Sequence, residues 1–101
     1  MNNYVVYCSF HLENASQLDY NNAFAGLDSL GLKRVVKGSS GSNYFLPGNS
    51  VLGVFQDQSS AALGTRVQQL IASAFTARKL KAEIFLLVGS ADAVWEFIQT
   101  K

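Results

Sequence analysis

The stretch from residue 59 to residue 78 constrains the fold most. Leu63, Val67, Leu70, Ile71, Ala74 and Phe75 recur at spacings of three and four, so a helix gathers them on one stripe while Arg66, Gln68, Gln69 and Arg78 face away. Ser59 or Ser60 supplies its cap. A helix of this kind draws its stability from packing the stripe on another apolar surface. Two segments offer one: Tyr4 to Phe10, β-branched and aromatic without a breaker, and Lys81 to Val88, apolar almost throughout, as in a strand at the middle of a sheet.

The rest of the chain fills in around these three segments. Asp19 is positioned to cap a helix carrying Ala23, Phe24, Leu27 and Leu30, and Gly31 stops it. Leu32 to Lys37 reads as a second strand, and Gly38 to Ser42 as a flexible connection. Asn43 to Leu46 is a short extended piece before the turn Pro47 to Ser50. Val51 to Phe55 is a third strand, in which Gly53 marks a weak point or a bulge. Gly89-Ser90 ends the last strand, and Ser90 or Asp92 opens a short final helix with Val94, Trp95, Phe97 and Ile98. The order predicts an α+β fold, a ferredoxin-like βαββαβ sandwich with an extra C-terminal helix, as a single domain over residues 1–101. Both alternating sets of the first strand are largely apolar, so the sheet face away from the helices needs a cover. That cover is either the terminal helix with Trp95 and Phe97 or a second copy of the chain, and a homodimer is the expectation.

Composition narrows the function classes. With 49% hydrophobic and 15% charged residues the chain is too apolar for disorder, yet no apolar run approaches the roughly 20 residues of a membrane span. The single cysteine, Cys8, has no partner for a disulfide or a thiolate metal site, and Met1-Asn2-Asn3-Tyr4 lacks the basic start of a secretory signal; a cytoplasmic location is expected. Cys8 alternates with apolar neighbours and reads as a small buried hydrophobe. The acids are scattered, so neither a metal nor a cofactor is expected.

Charge is unevenly placed. Residues 33–81 hold seven bases against one acid, a net of +6, between acidic ends. Lys33, Arg34, Lys37, Arg66, Arg78 and Lys79 are therefore the candidate contacts to nucleic-acid phosphates. Gly38 to Ser42 has the composition of an anion nest but lacks the ending of a P-loop. Tyr4, Tyr7, Tyr44, Phe55 and Phe85 are candidates for stacking on unpaired bases, although the third strand carries no RNA-recognition signature. His11, the only histidine, ends the first strand as a candidate acid or base, with Glu13 near enough to orient it.

The run Tyr7-Cys8-Ser9-Phe10-His11-Leu12, Asp19-Tyr20 at the helix start, Leu30-Gly31 at its end and Arg34 on the next strand resemble ferredoxin-like domains of the CRISPR-associated protein 2 and virulence-associated protein D type. The likeness covers about the first third of the chain. It implies a dimer joined through sheet faces or edges, with RNA or duplex DNA as partner and, in some members, phosphodiester cleavage by paired strand-one acids. His11 stands where that pattern has an aspartate, so a magnesium-bound carboxylate pair is not implied. The residues thus support a non-catalytic binding protein contacting nucleic acid, an interaction module of phage or mobile-element type, or an endoribonuclease using His11.

Overall fold

The computed structural model describes residues 1–100. The chain runs β1 (Asn2–Leu12), α1 (Gln17–Ser29), β2 (Val35–Lys37), β3 (Asn43–Phe45), β4 (Ser50–Asp57), α2 (Ser60–Ala77) and β5 (Ala82–Ser90). β4, β1 and β5 form an antiparallel sheet in that order, and β2 with β3 forms a separate hairpin. One antiparallel bridge ties the two: Lys33 and Leu52 exchange backbone hydrogen bonds of 2.9 and 2.8 Å. The architecture is α+β, an antiparallel sheet with two helices on one face.

The core lies between that face and the helices. Val6, Cys8, Phe10 and Leu12 alternate inward from β1 and meet Ala23, Phe24 and Leu27 of α1 and Leu63, Val67, Ile71 and Phe75 of α2, all buried. Phe10 is the aromatic hub, with ring centroids 5.2 Å from Phe24 and 5.6 Å from Phe75. The stripe expected of the second helix is the one buried, apart from Leu70, which lies on its exposed border.

Both helices end alike. At the end of α1, Gly31 (φ +92°) donates to the Asp28 carbonyl and Leu32 to that of Leu27; at the end of α2, Lys79 (φ +59°) donates to Thr76 and Leu80 to Phe75. The left-handed position holds glycine in one and lysine in the other.

Several expectations need correction. Ser16, not Asp19, caps α1: its hydroxyl accepts from the Asp19 N–H at 3.2 Å, while the Asp19 carboxylate accepts from the Ser16 N–H at 3.0 Å. The short extended piece expected at Asn43 to Leu46 is present as β3 and folds back on β2. Gly53 sits in regular register with Val6, without a bulge; a Cβ there would collide with the Gly31 carbonyl, so glycine is needed where the α1–β2 turn crosses β4. β5 is an edge strand rather than a central one, and its apolar run reflects alternation between a helix-packed side and an open side.

The C-terminal helix is also absent: residues 93–100 have no regular secondary structure. Trp95 and Phe97 both reach the Tyr44 ring, at centroid distances of 6.2 and 4.8 Å. Residues two apart point to different sides of a helix but to the same side of an extended chain, so that shared contact selects the extended form.

Candidate functional site

The sheet face away from the helices is built by register. Val5 lies between Val54 and Gly89, Tyr7 between Leu52 and Leu87, Ser9 between Ser50 and Phe85, and His11 opposite Glu83. Over the β4 side, Trp95, Phe97 and Ile98 close a groove of about 380 Å³ against Tyr7, Val36, Leu46 and Leu52. The expected cover is therefore partly present, as an extended tail. The β5 side is left bare, with Phe85 59% and Leu87 56% exposed, and Val54 is 66% exposed at the far end of β4. Apolar side chains presented together along two strands differ from the single exposed residues found on any protein surface.

His11 is exposed at the end of this face. The Tyr20 hydroxyl lies 3.5 Å from its Nδ1 and accepts from the Leu12 N–H at 3.0 Å. Glu83, not Glu13, is its cross-strand neighbour, whereas Glu13 uses its backbone N–H on the Lys81 carbonyl. Sequence spacing hid this pairing, because the two residues meet only through the β1–β5 register. Ser9, His11, Asn49, Glu83 and Phe85 line an open depression of about 500 Å³. Cys8 is wholly buried on the other side, and desolvation pushes its thiol up from 9.0 to about 11. Among the described residues no group of three His, Cys, Asp or Glu side chains is placed to hold a metal. No helix there is long and apolar enough to cross a membrane.

The six basic candidates fall into separate places. Lys33, Arg34 and Lys37 belong to the segment that becomes β2; Arg66 sits in the first half of α2, and Arg78 and Lys79 at its end, about 18 Å further along at 1.5 Å per residue. Four have intramolecular partners. Lys33 pairs with Asp28 at 2.9 Å and Arg66 with Asp57 at 3.1 Å, also donating to the Gln56 carbonyl. The Arg34 guanidinium lies 3.8 Å from the centre of the Phe24 ring. Arg78 donates to the Ala74 carbonyl and lies against Gly26, where a Cβ would come within 3.1 Å of its guanidinium carbon. Lys37 and Lys79 are exposed and form no ion pair among the described residues. Lys79 and Lys81 share a depression with Glu13 and Asp19, so positive charge is offset there.

Lys37 has different surroundings. With Gly38, Ser39, Ser40 and Tyr44 of the hairpin it faces Trp95 and Phe97 of the tail across a cavity of about 370 Å³. Lys37 and Tyr44 were each legible in the sequence, whereas Trp95 and Phe97 were expected on a helix over the sheet; their meeting depends on a tail that runs extended. A scan against models of known protein families finds no match to this chain, and a search of curated proteins finds none either.

Proposed function

We propose that the chain is a binding protein of ferredoxin-like architecture that pairs with a second copy through its open sheet face and presents the β2–β3 hairpin to nucleic acid. The observation that carries this reading is the bare apolar strip of Phe85, Leu87 and Val54 on a sheet whose other face carries the core beneath the two helices. Exposed apolar area of this kind on both copies favours self-association. The sheet order β4-β1-β5, extended by the Lys33–Leu52 bridge to the hairpin beside β4, is compatible with the split βαβ arrangement.

The nucleic-acid part rests most on Lys37, which is exposed on the hairpin and forms no ion pair among the described residues, whereas Lys33, Arg34, Arg66 and Arg78 each have a partner within the fold. An electrophoretic shift of labelled RNA and duplex DNA at two salt concentrations tests it. Phosphate contacts give a shift that weakens steeply as salt rises, and absence of any shift at low salt overturns this part and leaves a protein partner for the open face.

One observation favours a second reading, ribonuclease chemistry at His11: Glu83 lies across the strand and the Tyr20 hydroxyl beside the ring, in an open depression. In that case labelled RNA is shortened by the wild type and not by His11→Ala. Intact RNA with the wild type, or equal cleavage by both, removes His11 from that role.

A further inference from the structure

The hairpin cavity joins features that stand apart in the sequence. Lys37 carries an exposed ammonium at its rim. The following turn closes through Gly38 N–H to the Ser42 carbonyl at 2.8 Å and Gly41 N–H to the Gly38 carbonyl at 3.0 Å, which leaves the Ser39 and Ser40 N–H groups without an acceptor among the described residues. Tyr44 forms an aromatic wall with Phe97, their rings tilted by 30°, and Trp95 completes it edge-on at 74°. Trp95 and Phe97 keep 43% and 42% of their surface in water although both are engaged with Tyr44. The volume, about 370 Å³, lies within the ~300–1,000 Å³ of small-ligand sites.

We propose that this cavity binds one unpaired nucleotide of a single-stranded nucleic acid, its base stacked on the Tyr44–Trp95–Phe97 wall and its phosphate held by Lys37 and the Ser39 and Ser40 N–H groups. Aromatic surface next to a cation and free backbone donors matches the two halves of a nucleotide, a flat π-face and an anion. Glu96 also lines the cavity; its carboxylate repels a phosphate, which places the phosphate on the Lys37 side, and it accepts from base N–H groups, the N3–H of uracil and thymine included. A paired base has both its faces covered by its neighbours in the stack, so duplex is excluded from the wall. The site rests on the nucleic-acid part of the function proposed above and gives it a strand preference.

Trp95 is the only tryptophan and lines both this cavity and the groove over the β4 side, so its emission is read together with variants of Tyr44 and Lys37, which line this cavity and not the groove. Single-stranded oligouridylate and oligothymidylate are titrated against Trp95 emission, with duplex DNA and inorganic phosphate in parallel and the gel shift on the same samples. The expected result is saturable quenching by the single strands and not by the duplex, weakened about tenfold in Tyr44→Ala and largely preserved in Tyr44→Phe. Lys37→Gln is expected to weaken binding and to lower its salt dependence by about one phosphate contact. Unchanged thermal unfolding of each variant shows that the fold is intact. A gel shift without Trp95 quenching, or one that Tyr44→Ala leaves unchanged, overturns the cavity while nucleic-acid binding stands. Equal quenching by duplex overturns the strand preference. Absence of both shift and quenching at low salt overturns the underlying nucleic-acid reading together with the site.

Discussion

The two faces of the β4-β1-β5 sheet are made from neighbouring residues of the same strands and have opposite fates. Along β1, Val6, Cys8 and Phe10 vanish beneath two helices, while Val5, Tyr7 and Ser9 between them meet only part of a tail. Along β5, Leu86 and Val88 pack on the core, and Phe85 and Leu87 stand in water. Strand alternation accounts for which residue goes where. It leaves unexplained why the open face is apolar, since a face evolved for water alone would carry polar side chains in those places. The helix face holds the core that makes the chain fold, and the open face is the one we propose for contact with a second copy.

Substitutions on the helix face are expected to have the largest effects. Ile71→Ala should cost about 2–5 kcal/mol of unfolding free energy, whereas Leu87→Ala should leave the isolated chain within about 0.5 kcal/mol. Chemical denaturation of dilute protein checks both, and equal losses would break the contrast between the faces. Gly53→Ala, pointing to the helix side, should cost roughly 1–3 kcal/mol because its methyl group meets the Gly31 carbonyl.

Cys8 sharpens the contrast through pH. Its thiol is raised from 9.0 to about 11 in the folded chain, so the unfolded chain loses its proton first as pH rises. Stability from this group is intact below pH 9 and falls as pH climbs through the interval to about 11, and a Cys8→Ala variant should lack that component of the fall. A thiol reagent at pH 8 should leave native Cys8 unmodified and label it on unfolding. A small gain is expected at Lys79, whose left-handed φ of +59° suits glycine: Lys79→Gly should gain about 0.5–1 kcal/mol, seen as a slightly higher melting temperature.

The sequence made the helices and the inner face of the sheet legible because a single period governs each. The stripe from Leu63 to Phe75 and the stop at Gly31 needed only local spacing. Expectation failed where two distant segments compete for the same partners. Lys81 to Val88 is apolar enough for a central strand, yet it is β1 that has neighbours on both sides, and no count within either segment decides that. Trp95 and Phe97 fit a short amphipathic helix until Tyr44, some fifty residues earlier, offers both rings one contact. The basic residues looked like one patch from a net of +6, but Asp28, Asp57, Phe24 and the Ala74 carbonyl each engage one of them. The His11–Glu83 neighbourhood and the hairpin cavity were hidden for the same reason, since both arise from register or folding back rather than spacing.

Sedimentation equilibrium of the wild type beside Leu87→Lys tests the open face most directly. A wild type of twice the 11.0 kDa chain mass, with Leu87→Lys at 11.0 kDa and equally folded by circular dichroism, is the expected result. A wild type that stays at 11.0 kDa up to high micromolar concentration, or a dimer that Leu87→Lys does not weaken, would contradict the assignment of that face to self-association.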